Sequence, residues 1–269
     1  MKIFLEILHE TMGYVLALFY IPLGIFFRLP DMTEGEKNPV ILIPGILGSS
    51  LMFGSLRRKL VKKGYPVYIP KLAYQTGSFD DNARRLEQFI LDNNLRDIYF
   101  IGQSSGGLII TQMGYKGRDR IKKFFAISTP FHGTLLALLF YFLPAGRQLL
   151  TGSSFLKKNE INFMTFPNLQ CLYSRFDLVI IPGFQGRLGR NDDTEYPGFG
   201  HINLVMSPGG VNFILEKLEL EDNKQKKQIA TKKNSEIKSI PQKTVKKPVP
   251  GKNQPKKKPS AVKRAKKKI

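Results

Sequence analysis

Between Pro39 and Leu220 short apolar runs alternate with amphipathic stretches. Residues 40–44 (VILIP) and 65–70 (YPVYIP) are apolar runs of strand length, and the intervening 49–64 (SSLMFGSLRRKLVKKG) has helical spacing closed by Gly64. In 79–94 (FDDNARRLEQFILDNN), Ala83, Leu86, Phe89 and Ile90 fall on one helical face. Asp80 and Asp81 suit the positive end of that helix. A strand is expected at 97–102 (DIYFIG), a helix at 105–115 (SGGLIITQMGY), strands at 121–128 (IKKFFAIS) and 169–176 (LQCLYSRF), and a closing helix at 209–220 (GGVNFILEKLEL). Alternation of strand and helix predicts an α/β architecture: a mostly parallel sheet covered by helices on both faces, with ligands at the carboxyl ends of the strands.

Three segments fall outside this alternation. Residues 133–166 are too long and too apolar for a plain connection. Their run LLALLFYFL is too short to span a bilayer and reads either as a buried core helix or as a lid whose apolar face meets lipid. The lid is the preferred expectation, because the segment follows a strand expected to carry chemistry. At the amino end, Thr11 to Phe27 are uncharged, long enough to cross a membrane with modest tilt. No small-residue cleavage site precedes Arg28. Residues 1–30 are therefore expected to be a retained single-pass anchor, with 3–27 in contact with lipid and Glu6, His9 and Glu10 in an interfacial first turn. The charges flanking the run leave its orientation open.

Charge sets apart the third segment. The chain of 269 residues has a net charge of +21, and 221–269 hold 18 Lys and Arg against Glu221, Asp222 and Glu236. The last aromatic residue is Phe213, and prolines stand at 241, 248, 250, 255 and 259. Such a segment has too little apolar surface to offset its ordering entropy, so a disordered tail is expected. Its natural partners are polyanions, whether anionic lipid headgroups or nucleic acid, and a purely solubilising role is the plain alternative. The organisation expected is thus an anchor (1–30), an α/β domain (38–220) with a lid-like insertion (133–166), and a basic tail (221–269).

The candidate chemistry begins at Gly102-Gln103-Ser104-Ser105-Gly106. A strand that turns directly into a helix strains the residue at the turn and demands small neighbours, the pattern of a G-x-S-x-G nucleophile elbow. A serine hydroxyl is a weak nucleophile near neutral pH and needs a base oriented by a carboxylate, in the chain order Ser, Asp or Glu, His. The chain has three histidines. His201, in a glycine-rich loop before the last helix, is the preferred base, and His132 in STPFHGT is the alternative. Asp177, at the end of a strand, is the preferred carboxylate over Asp192 and Asp193, which lie in the polar stretch RNDDTE. Two backbone donors are needed for a tetrahedral oxyanion: the amide of Ser105, and that of Ile46 in the loop PGILGSS after the first strand. Cys171, the single cysteine, reads as an inert buried thiol. No His/Cys/Asp cluster has metal-ligand spacing, and no cofactor is expected.

From about Pro39 to Leu218 the chain resembles the small bacterial α/β-hydrolase lipases and esterases of the near-minimal triacylglycerol lipase type. The resemblance lies in ILIPGILGSS, IGQSSGGL, LYSRFDLVI and GFGHINLVMSPGGVNFI, with STPFHGT similar to the Thr-Pro-x-x-Gly segment of many lipases. It implies Ser104 as nucleophile, Asp177 as acid, His201 as base, and Ile46 and Ser105 as oxyanion amides. Two positions depart from the family pattern: Pro44-Gly45 stands where His-Gly is usual, and Gln103 where histidine often precedes the serine. Neither removes a triad member or a backbone donor, and both bear on substrate preference.

The function expected is therefore that of a serine hydrolase, a lipase or carboxylesterase at a membrane, on the resemblance a bacterial inner membrane, acting on lipid esters through an acyl-enzyme. Acyl transfer on the same triad is one alternative. An inactive hydrolase scaffold, whose tail binds nucleic acid or another anionic polymer, is the other.

Overall fold

A computed structural model describes residues 2–72, 75–166 and 168–239. By its contacts the chain divides into Met1–Glu221 and Asp222–Ile269. In chain order the elements are α1 (Lys2–Phe26), β1 (Val40–Ile43), a 3₁₀ turn (Ser50–Phe53), α2 (Gly54–Lys62), β2 (Val67–Tyr68), α3 (Phe79–Asp92), β3 (Ile98–Gln103), α4 (Ser105–Thr111) and α5 (Tyr115–Arg118). There follow β4 (Ile121–Ile127), a 3₁₀ stretch (Leu135–Phe140), α6 (Pro144–Leu149), α7 (Ser154–Thr165), β5 (Leu169–Tyr173), β6 (Thr194–Glu195), α8 (Asn203–Met206) and α9 (Pro208–Ser239).

The six strands form one sheet in the order β2-β1-β3-β4-β5-β6, with every pairing parallel. Alternation along each strand sends successive side chains to opposite faces. Ile41, Ile43 and Phe100 join a core with Leu86 and Ile90 of α3, Leu108 of α4 and Phe155 and Phe163 of α7. Val40, Leu42, Tyr99 and Ile101 face the other way, against Leu56 and Leu60 of α2 and Val211, Ile214 and Leu218 of α9. All six residues of β3 are buried. Each large apolar side chain so placed contributes about 1.5–3 kcal/mol relative to exposure. The strand that leads into the elbow is thus firmly held, paired on both sides by β1 and β4. Ser78 closes the start of α3, its Oγ accepting the Asp81 amide at 3.2 Å, a cap that stabilises by about 1 kcal/mol.

Four features differ in detail from the sequence reading. The strand β6 forms within a stretch read as polar surface, since two residues are too short for periodicity to reveal. The insertion is not a buried core helix: Leu135, Leu138, Leu139, Tyr141 and Phe142 are exposed, while Ala145 and Leu149 of α6 and Phe155 and Phe163 of α7 enter the core. The basic segment is helical as far as Ser239, because 211–239 lack both proline and glycine and are rich in good helix formers. Its remainder, 240–269, lies outside the described residues. Finally, α1 is long and apolar enough to cross a membrane, but it lies along the body. Glu10 and Gly13 are buried, and Tyr14, Ala17 and Tyr20 pack against the α9 side of the sheet.

Candidate active site

The elbow stands at the carboxyl end of β3. Ser104 has φ 54° and ψ −133°, a conformation that costs an L-residue on the order of 1–3 kcal/mol. The flanking glycines are required by close approach. A Cβ on Gly102 would come within 2.9 Å of the Gly107 backbone, and one on Gly106 within 2.6 Å of the Pro44 carbonyl oxygen. Gly106 therefore lets the elbow pack directly against the end of β1.

The loop after β1 is tied to the elbow by two hydrogen bonds. Gly45 donates its amide to Gln103 Oε1 at 3.1 Å, and Ile46 donates its amide to Ser105 Oγ at 2.7 Å. Gln103, at one of the two departures from the family pattern, thus orders the loop beside the serine. The Ile46 amide, expected as an oxyanion donor, is engaged by a neighbouring hydroxyl.

Asp177 follows β5 and is buried. Its Oδ1 accepts the amides of Val179 and Ile180, both at 2.8 Å, and its Oδ2 lies 2.9 Å from Nδ1 of His201. The acid and histidine loops are further joined by Ser174, whose Oγ donates to the Gly198 carbonyl at 2.6 Å, and by stacked rings of Phe176 and Phe199 at 4.9 Å. Burial by itself would raise the Asp177 pKa, but the imidazole and the two amides outweigh it, so the carboxyl lies below its usual range. For His201, burial disfavours the charged ring, yet Asp177, followed by Glu10, reverses the effect and raises its pKa above 6.5. An imidazole oriented and made more basic by a buried carboxylate is suited to taking a proton from a hydroxyl.

The alternatives lie elsewhere. His132 is exposed. Asp193 Oδ2 accepts the amides of Leu188, Gly189 and Arg190, and Asp192 pairs with the Arg190 side chain at 3.1 Å. These two aspartates brace a surface turn. Among the described residues no group of His, Cys, Asp and Glu is arranged to hold a metal ion.

Ser104, His201 and Ile46 line a common cavity of about 300 Å³, within the range of small-ligand sites. Its walls are chiefly apolar: Leu18 and Ile21 come from α1, and Leu136 and Leu139 from the insertion. A smaller hollow of about 90 Å³, beside Arg28 and Lys71, holds none of the three.

Two features of the site escaped the sequence reading. One is the contribution of α1 to the cavity wall. The other is Glu10, whose carboxylate reaches the histidine loop. A signal was present, since Glu6, Glu10, Gly13, Ala17, Tyr20 and Gly24 recur at spacings of three or four and make one stripe of small or polar residues along an apolar helix.

Comparison with known proteins agrees with this fold. Residues 38–143 match the family described as the alpha/beta hydrolase fold. The mature Bacillus licheniformis lipase BlEst2 superposes with a TM-score of 0.56 at 17% identity, over 72% of this chain and 94% of that one. Paleococcus ferrophilus monoacylglycerol lipase gives 0.54 at 16%, over 71% and 96%. An α/β-hydrolase enzyme from the metagenome of lagoon sediments of Mar Chica, Morocco, gives 0.55 at 15%, over 71% and 94%. At such identities the likeness is one of fold. With its parallel sheet, its strand-to-helix elbow at Ser104 and its loops converging at the carboxyl ends of the strands, the chain has the α/β-hydrolase fold, in the form in which it resembles lipases and esterases.

Proposed function

We propose that the protein is a membrane-associated serine hydrolase that cleaves carboxylic esters of lipids through an acyl-enzyme. The observation that carries this reading is the buried Asp177–His201 pair opening, with Ser104 on its elbow, onto one apolar cavity. His201 takes the proton of Ser104 as Oγ attacks the acyl carbonyl carbon. The carbonyl oxygen becomes an oxyanion, received by the Ser105 amide and by the Ile46 amide once it exchanges its bond to Ser105 Oγ. Collapse expels the alkoxide, which takes the proton from His201 and leaves the acyl group on Ser104. Water then gives a proton to His201 and attacks the acyl carbon; Ser104 regains its proton and the fatty acid departs.

Membrane association is supported by the surface around the cavity. The outward side of α1 exposes Phe4, Leu8, Leu18, Phe19 and Phe26, and the insertion exposes Leu138, Leu139 and Phe142. Contiguous apolar surface of this kind marks an interaction site. Because α1 lies along the body from Glu6 to Ile21, attachment in the membrane plane replaces the crossing geometry that length alone suggests. The lysine-rich segment from 221 adds attraction to anionic headgroups, about 1 kcal/mol per Lys or Arg near the surface.

The test is labelling with a fluorophosphonate probe together with fatty-acid release from glyceride-containing vesicles. Labelling and release that vanish in Ser104→Ala support the reading. Release with added alcohol acceptors separates hydrolysis from acyl transfer. A wild-type protein that neither labels nor releases acid from any chain length would reject it.

A further inference from the structure

Glu10 is only 1% exposed, yet it sits on a helix whose neighbouring residues Leu8, Thr11 and Met12 face outward. Its carboxylate is used against the histidine loop: Oε1 accepts the backbone amides of His201 at 2.7 Å and Ile202 at 3.1 Å, and Oε2 accepts that of Asn203 at 2.7 Å. The loop is shaped to admit it. Gly200, with φ +139°, could not carry a Cβ, which would lie 2.6 Å from Glu10 Oε2. Asn203 returns a bond to α1, its Nδ2 donating to the Glu6 carbonyl at 2.9 Å, and a Cβ on Gly13 would lie 2.7 Å from Ile202 Cγ2. The contact is therefore close along about two turns of α1, from Glu6 to Gly13, and it bears on the residue that holds the imidazole.

We infer that Glu10 is a positioning residue for His201: delivered by α1, its carboxylate fixes the backbone on which the imidazole stands, so the site is complete only while α1 is docked. What His201 does rests on the hydrolase reading above, but how it is held does not. The long apolar helix is then both the attachment to lipid and a part of the catalytic scaffold, and lifting it away removes the three hydrogen bonds to Glu10 and the Asn203–Glu6 bond from the histidine loop.

The chain has three histidines, so His201 can be followed by NMR in the full-length protein in parallel with fluorophosphonate labelling of Ser104. The ionisable groups acting on the ring are Asp177 from the loop after β5 and Glu10 from α1, and Tyr14 of α1 lines the same cavity. Glu10→Gln removes the charge and presents an amide group where an acceptor is needed. Gly13→Ala leaves Glu10 intact but pushes α1 off Ile202. Both variants are expected to slow labelling on the order of tenfold or more in protein that stays folded, with the melting temperature lowered by several degrees. In Glu10→Gln the His201 titration midpoint is also expected to fall, because the carboxylate that helps to hold the imidazole charged is gone, a shift that a merely structural residue would not produce. Unchanged labelling and an unchanged midpoint in both overturn the inference. If the wild type does not label, the hydrolase reading fails while the midpoint still decides the clamp. If both variants unfold, hydrogen exchange of the His201, Ile202 and Asn203 amides in the wild type decides it: protection at the level of β3 supports the clamp, and free exchange overturns it.

Discussion

Asp177 Oδ2 lies 2.9 Å from His201 Nδ1, and both side chains are withdrawn from solvent. The other oxygen of the same carboxylate is held by two amides of its own loop, so the acid cannot turn away from the ring. Replacing it by asparagine keeps the shape and removes the charge that orients the imidazole. Asp177→Asn is expected to lower kcat for ester hydrolysis by about four orders of magnitude, measured on a chromogenic ester, with the circular dichroism spectrum unchanged.

The same pair sets the pH response. A base must be neutral to accept a proton, and the His201 pKa lies above 6.5, so kcat/KM is expected to rise with pH through a midpoint above that value. Stability follows the opposite sign. The raised imidazole pKa contributes stability that is present below about 6.5 and is lost as pH rises through the higher folded value. The lowered Asp177 pKa contributes stability present above its usual 3.8 and lost as pH falls through the folded value. A pH–rate profile between pH 4 and 9 and melting curves between pH 2 and 9 check both; an acid limb centred below 6.5 contradicts the arrangement.

Ser105 Oγ occupies the Ile46 amide at 2.7 Å. Ser105→Ala frees that donor for the oxyanion at the cost of one hydrogen bond, about 1 kcal/mol of stability. The expected outcome is a rise in kcat of up to about tenfold, the equivalent of roughly 1.4 kcal/mol, with a slightly lower Tm. A fall in kcat would mean that the hydroxyl holds the loop in its working position.

The elbow depends on Gly106, where an added methyl meets the Pro44 carbonyl oxygen. Gly106→Ala is expected to destabilise by about 1–3 kcal/mol through overpacking, and so to lower Tm by several degrees. Labelling of Ser104 should fall further than the loss of folded protein explains, because β1 and the elbow are forced apart.

On the insertion beside the cavity, Leu138 and Phe142 are 63% and 73% exposed and do not line the cavity itself. Changing both to glutamate brings no charge into the core and opposes contact with acyl chains. Hydrolysis of vesicle-borne lipid is expected to drop at least tenfold, with the rate on a soluble short-chain ester within a factor of two of the parent; equal losses on both substrates would place these residues in chemistry rather than in lipid contact.

Much of the fold is legible locally. The strands β1, β3 and β4 are apolar runs bounded by turns, and the elbow announces itself because steric crowding at a strand-to-helix turn excludes larger residues within five positions of sequence. The partners of that serine are harder to read. Chain order and setting favour Asp177 at a strand end over Asp192 and Asp193, and His201 before the last helix over His132, but it is the packing of the β5 and α8 loops that brings that aspartate to that histidine. Glu10 is the extreme case, bonded to a residue 191 positions away.

The order of residues thus determined the alternating layers, the position of the serine and the apolar character of the first helix, since each follows from interactions among near neighbours. Tertiary structure alone decided how the favoured carboxylate meets the imidazole, that the first helix lies beside the histidine loop, and that one of its glutamates is buried there. Burial and long-range hydrogen bonds depend on what the rest of the chain brings alongside, and leave only a faint trace in local periodicity.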